Sequence, residues 1–185
     1  MYNVISSNQL SNLSAGIYFD APYSYAPSHN IVSNNVIRNI FGSFGANGIF
    51  LGWGASDNTI SNNKIENVGH AAIAAYSGYG GNAANNVISN NQLYSIGLSG
   101  AHPAIDIAET TNIAIVANSI YSTSTYALIE IASGAVDTTL ASNHFENPNS
   151  TNYIADASAS TRYNEWDRTT ITTDSARGYN LFSII

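Results

Sequence analysis

The chain has 185 residues, of which 9% are Asp, Glu, Lys or Arg and 44% are apolar; that is one domain's worth of sequence with enough apolar side chains for a core, which excludes a disordered polar chain. A net charge of −7, with five Lys and Arg in all, argues against nucleic acid and anionic membranes as partners, and disfavours a polyanionic substrate unless a metal ion bridges the two. There is no cysteine, hence no disulfide and no thiolate–zinc site, and no apolar run is long enough to span a bilayer.

The chain opens without the basic start and apolar stretch of a signal peptide. Its first element, residues 3–10, alternates apolar and polar side chains on both sides of a polar corner ending at Asn8. Residues 16–19 follow as a short apolar strand around Ile17. The same pair of elements returns at 30–37 with 48–51, at 58–65 with 72–75, at 86–93 with 104–107 and at 113–120 with 128–131. It returns once more at 138–145, with a weaker third strand at 153–155. One asparagine holds its place in every repeat: Asn8, Asn35, Asn63, Asn91, Asn118 and Asn143. Apolar residues keep step three positions before it (Ile5, Val32, Ile60, Ile88, Ile115, Leu140) and two after it (Leu10, Ile37, Ile65, Leu93, Ile120, Phe145).

Period-2 alternation on either side of a fixed corner describes two short strands meeting at a bend. Asn tolerates the left-handed conformation such a bend needs, and stacked amides can bond to one another as a ladder. With a third strand closing each repeat, the pattern predicts an all-β, single-stranded parallel β-helix (β-solenoid) of about six coils. Each coil would bury its apolar face only against its neighbours. A sandwich of evenly spaced strands has no reason to keep one Asn in register six times. The unit around Asn90-Asn91, with its constant Asn-bearing turn and two turns of varying length, resembles the right-handed parallel β-helix of the pectate lyase-like superfamily. The resemblance covers roughly residues 2–147. It implies a carbohydrate-active enzyme or a tail-spike type protein, and does not choose between them. Classical pectate lyases use calcium carboxylates with a basic residue nearby. No Arg or Lys falls on the third-strand face of this chain.

Residues 1–147 are accordingly expected to form the coils and 148–185 a C-terminal cap or extension. That extension carries Arg162, Trp166, Arg168 and Arg177, the run 169–173 and the apolar end 181–185, and predicts one or two extra strands. A coil at the first residues with no capping helix suggests that a missing N-terminal portion or a partner covers that end. A homotrimer is a further expectation, and an extracellular or virion-surface location is favoured.

Chemistry is expected on the outward side of the third strand. If Ile17, Ile49, Ile73, Ile105, Ile129 and Ile154 face in, the next column faces out: Tyr18, Phe50, Ala74, Asp106, Glu130, Ala155. Asp106 and Glu130 then lie on adjacent coils, with backbones about 4.8 Å apart. His70, His102 and Tyr126 stack in the preceding turn. Two close carboxylates repel, so one is expected to hold a proton, the minimal equipment for glycoside hydrolysis. The candidate catalytic residues are therefore Asp106, Glu130, His102, His70 and Tyr126, where a histidine or Tyr126 could instead serve as the base for β-elimination. Tyr18, Phe50, Trp53 and Tyr76 are candidate sugar-binding platforms. No cofactor is required, although Asp106 and Glu130 could take calcium. The expected function is a carbohydrate-active protein that binds and cleaves a polysaccharide, as a glycoside hydrolase or a lyase. The alternative is a non-catalytic structural or glycan-binding rod, such as part of a tail spike or bacterial surface protein.

Overall fold

The computed structural model describes residues 2–20, 26–42, 45–76, 81–100, 102–149, 153–158 and 160–164. Their strands follow one another in triplets. The first coil is β1 (Val4–Ser6), β2 (Gln9–Leu13) and β3 (Ile17–Phe19), and the second is β4 (Ile31–Ser33), β5 (Val36–Ile40) and β6 (Ile49–Leu51). The third comprises β7 (Thr59–Ser61), β8 (Lys64–Val68) and β9 (Ile73–Tyr76), and the fourth β10 (Val87–Ser89), β11 (Gln92–Ile96) and β12 (Ile105–Ala108). The fifth is β13 (Ala114–Val116), β14 (Ser119–Tyr121) and β15 (Ile129–Ile131), and the sixth β16 (Thr139–Ala141), β17 (His144–Glu146) and β18 (Ile154–Asp156). A last strand, β19 (Arg162–Asn164), continues the first sheet beside β16. The segments 169–173 and 181–185 lie outside the described residues.

Every third strand joins the same sheet, so three parallel sheets run the length of a rod, ordered β1-β4-β7-β10-β13-β16-β19, β2-β5-β8-β11-β14-β17 and β3-β6-β9-β12-β15-β18. Parallel pairing in this order requires each coil to lie directly on the last, which is the solenoid that the repeat predicts. The inward columns are those expected. Val32, Ile60, Ile88, Ile115 and Leu140 line one wall, Ile37, Ile65, Leu93, Ile120 and Phe145 the second, and Ile17, Ile49, Ile73, Ile105, Ile129 and Ile154 the third, all buried. Burying one such side chain is worth about 1.5–3 kcal/mol, realised only once the next coil is in place. In the first coil, Ile5 and Leu10 are only partly buried, because they are covered from one side.

The corner works differently from the expectation. The residue in the left-handed region is not the fixed asparagine but the one before it: Ser7 (φ 59), Asn34 (φ 57), Asn62 (φ 56), Asn90 (φ 55), Ala117 (φ 56) and Ser142 (φ 57). That bend turns the fixed Asn inward, where Asn35, Asn63, Asn91, Asn118 and Asn143 are buried. Each Oδ1 accepts both the backbone N–H and the side-chain amide of its counterpart one coil back, at 3.0 Å in every case from the Asn8–Asn35 pair to the Asn118–Asn143 pair. The inward amide therefore repairs the polar backbone that a tight corner would otherwise bury unpaired.

A second ladder stands five residues earlier. Asn3 bonds Asn30, Asn30 bonds Asn58 and Asn58 bonds Asn86 in the same two-to-one pattern, at 2.9–3.1 Å. It stops where the column reads Ile113 and Thr138; the buried Thr138 hydroxyl has no partner among the described residues.

The column entering the third strand is small at one end of the rod: Gly16, Gly48, Ala72, Ala104. A Cβ on Gly48 would stand 2.6 Å from the Ala72 carbonyl oxygen and 2.7 Å from Ile65 Cγ2. Gly48→Val should therefore destabilise the fold by about 1–3 kcal/mol through overpacking, read as a lower midpoint in a urea titration. An unchanged midpoint would mean that the coils can separate at this point.

Candidate functional site

Strand pairing sets the outward column of the third sheet directly. Tyr18 lies opposite Phe50, Phe50 opposite Ala74, Ala74 opposite Asp106, Asp106 opposite Glu130 and Glu130 opposite Ala155. β9 runs one residue further, so Tyr76 also faces out, opposite the small Ala108. Although it faces outward, Ala74 is 0% exposed. Its methyl leaves room for the larger side chains on either side to close over it. The Tyr76 ring meets the edge of Phe50 (centroids 5.7 Å, interplanar 61°) and its hydroxyl donates to Asp106 Oδ2. Phe50 in turn lies against Tyr18 (5.0 Å, 31°). The Tyr18 hydroxyl is tied to the Gly45 carbonyl and accepts from the Asn47 amide at 3.5 Å.

The face thus carries a continuous row of three aromatic rings running into two carboxylates. Glu130 is hydrogen-bonded by the Tyr126 hydroxyl. In the turn before the third strand, His70 and His102 stack with ring centroids 4.2 Å apart and an interplanar angle of 26°. Trp53 is not part of the row. It sits in the turn leaving β6 with φ 39, and among the described residues no ring pairs with it.

Burial pushes the Asp106 carboxyl above its ordinary value; the Tyr76 hydroxyl opposes that, the Glu130 charge adds to it, and His102 opposes it again, leaving a net upward shift. Burial also raises Tyr76, with Asp106 next in weight. Tyr126 is raised by burial and then by its bond to Glu130. His70 is lowered, first by burial and then by the charge of His102.

The site is a poor calcium cage. Calcium takes six to eight oxygens, whereas each carboxylate here is engaged by a tyrosine hydroxyl. Among the described residues no group of three or more His, Asp or Glu is arranged to hold a metal ion.

The sequence places Tyr76 among the rings of the same face and Tyr126 in the turn before Glu130, but not the hydroxyl bonds that join them to the carboxylates. A signal for the first was present: Tyr76 follows Ala74 by two positions, the interval that returns a side chain to the same face. Gly52 follows β6, two positions after Phe50. A Cβ there would collide with Phe50 Cε1, so the Phe50 ring lies over this glycine. Gly52→Ala should push the ring aside and cost about 0.5–1.5 kcal/mol of stability, the worth of one aromatic pair, read as a lower midpoint in a urea titration. An unchanged midpoint would show that the Phe50 contacts with Tyr18 and Tyr76 do not support the fold.

Comparison with known proteins bears on the fold. Among curated proteins, no match is found. Among solved structures, the chain is similar to a protein of Parabacteroides merdae described as a "putative glycosyl hydrolase", with 11% identity and a TM-score of 0.59 over 92% of this chain and 82% of that one. At that identity the likeness shows a common architecture. The family described as "Right handed beta helix region" matches residues 1–171. This chain is a member of the right-handed β-helix family.

Proposed function

We propose that the protein binds and cleaves a polysaccharide on the outward face of its third sheet. The observation that carries this reading is the pair Asp106–Glu130, opposite one another on adjacent strands at the end of the Tyr18–Phe50–Tyr76 row. Aromatic rings stack on the apolar faces of sugars, and a raised carboxyl beside a second carboxylate is suited to splitting a glycosidic bond. Asp106 would give its proton to the departing glycosidic oxygen. Glu130 would either attack the anomeric carbon or take a proton from the water that does, and the carboxyl separation in the complex decides which. His102 biases Asp106 electrostatically. His70 and Tyr126 would complete the wall, and Trp53 would contribute a more distant platform. The structural neighbour described as a glycosyl hydrolase is consistent with this reading through fold alone.

The test is a reducing-end assay over a polysaccharide panel with the wild type, Asp106→Asn and Glu130→Gln. Release by the wild type and silence in both variants supports the assignment. Equal release by all three removes the pair from catalysis.

A non-catalytic rod is the second reading, favoured by the first sheet. Its outward residues from β1 to β16 are Val4, Ser6, Ile31, Ser33, Thr59, Ser61, Val87, Ser89, Ala114, Val116, Thr139 and Ala141, all without charge. Light scattering together with hydrogen exchange on the third sheet distinguishes the two: a trimer that protects that sheet would favour the rod, and an open face would favour the enzyme.

A further inference from the structure

We infer that the second sheet carries a separate glycan-binding site, centred on Tyr94 and Tyr121 and on the hollow beside Lys64 and Gln92. It goes beyond the cleavage assigned to the third sheet and does not depend on it. Tyr94 on β11 lies opposite Tyr121 on β14, and Leu93 and Ile120, one position earlier, are buried in the core, so both rings lie on the outward face. Their centroids are 6.5 Å apart with an interplanar angle of 41°, and each is half-buried. Two rings side by side on a strand surface suit the apolar faces of sugars. The hydroxyls set this pair apart. Those of Tyr18, Tyr76 and Tyr126 are tied to groups of the protein, whereas neither Tyr94 nor Tyr121 has a hydrogen-bond partner for its hydroxyl among the described residues. Each is free to donate to and accept from a ligand hydroxyl.

The surroundings supply the polar contacts a sugar needs. Carboxylates bracket the pair, with Glu66 opposite Tyr94 and Glu146 opposite Tyr121, and Glu66 is held by Lys64 at 2.8 Å. Gln92 stands two positions before Tyr94 and therefore on the same face. It lines a hollow of about 190 Å³ together with Asn62, Asn63, Lys64 and Asn90. That is smaller than the roughly 300–1,000 Å³ of sites for drug-sized ligands and suits one sugar unit. The side-chain amides of Asn62, Asn90 and Gln92 have no hydrogen-bond partner among the described residues. Each offers a donor and an acceptor, as a sugar hydroxyl does. Rings for the apolar face, with amides and carboxylates at the rim, describe a sugar rather than a purely apolar or purely ionic ligand. The site lies on a different sheet from Asp106 and Glu130, so it holds a glycan without cutting it.

The experiment is a residue-resolved NMR titration of the full chain carrying Asp106→Asn, which keeps each probe intact. The probes are xylan, mannan and β-glucan oligosaccharides and oligogalacturonate. At least one should saturably shift the amides of Lys64, Gln92, Tyr94 and Tyr121, as a set separate from Phe50, Tyr76 and Glu130. Tyr94→Ala and Tyr121→Ala should each weaken that binding by about tenfold. Tyr94→Phe, which retains the packing, and Gln92→Ala, at an exposed position, should each weaken it by about threefold, the worth of one hydrogen bond. If shifts are confined to the third sheet, or absent with every probe, the inference is overturned, and the reducing-end assay still decides the cleavage assignment by itself. Second-sheet shifts of undiminished affinity in all four variants would overturn it equally, by taking these side chains out of the site.

Discussion

Asp106→Asn is expected to unfold at a higher urea concentration than the wild type at neutral pH, while losing the proposed polysaccharide cleavage by a factor of about 10²–10⁴, the usual worth of a positioned acid or base. The first half follows from linkage. The Asp106 carboxyl is raised in the folded protein, chiefly by burial, so between the unfolded and folded values the native state holds more protons than the unfolded one. Stability then falls as pH rises through that window, and above it the full cost of an ionised, half-buried carboxylate is present. An uncharged amide of the same shape avoids that cost and can still accept from Tyr76. A variant that is inactive and less stable at pH 7 would mean that the native state depends on the charged form.

The same carboxyl should respond to its neighbours in opposite directions. The Tyr76 hydroxyl favours the ionised form of Asp106, so Tyr76→Phe should raise its pKa further and move the alkaline limb of the pH–rate profile upward. The Glu130 charge disfavours ionisation, so Glu130→Gln should bring the Asp106 titration down. Carboxyl NMR reads both shifts, including the one in a variant without turnover. Shifts of the same sign would show that the acid is not Asp106.

Asn91→Ala should cost about 3–5 kcal/mol of a total that for a domain is about 5–15 kcal/mol. Asn91 Oδ1 accepts from the Asn63 backbone and side chain, and its amide donates to the Ile60 carbonyl and to Asn118 Oδ1, each at 3.0 Å. Alanine removes all four bonds and leaves the Asn63 N–H and its amide in need of partners inside the rod, at about 1–3 kcal/mol for each orphaned group. Asn8→Ala at the end of the ladder is the control. Asn8 is exposed, and its amide hydrogens can turn to water, so its loss should cost less than about 1 kcal/mol. Because each coil is stabilised only by its neighbours, the mid-rod variant should also broaden the transition. Equal losses at the two positions would show that the ladder is an accompaniment to packing and not a support.

The architecture was legible because stacking forces repetition. A side chain that must lie over its counterpart one coil away leaves its period in the sequence, as Ile60, Ile88 and Ile115 do. The corner was misread for a related reason. Both members of pairs such as Asn62-Asn63 and Asn90-Asn91 are asparagine, so composition alone does not say which bends the chain and which turns inward; Ala117-Asn118 and Ser142-Asn143 separate the roles. The second ladder was overlooked because it runs through only Asn3, Asn30, Asn58 and Asn86. For the site, the Asp106–Glu130 pairing follows from the period, since backbone register carries it. The bonds Tyr76 and Tyr126 make to those acids depend on where long side chains lean. That choice is made by packing around one small residue, Ala74, and no repeat records it.

The ladder also governs how the molecule can change in length. Successive rungs are separated by 27, 28, 28, 27 and 25 residues, and the variation falls in turns away from the asparagine corner. Small insertions and deletions can therefore accumulate in those turns without disturbing the stack. Gain or loss within the strands and the asparagine corner is tolerated in whole coils, since any other number would leave an Oδ1 acceptor without the side-chain amide that donates to it. Such a chain can lengthen by a whole coil at a time, because the inward positions are fixed by the stack while the outward ones are free to differ, as the two acids in a file of rings and alanines do.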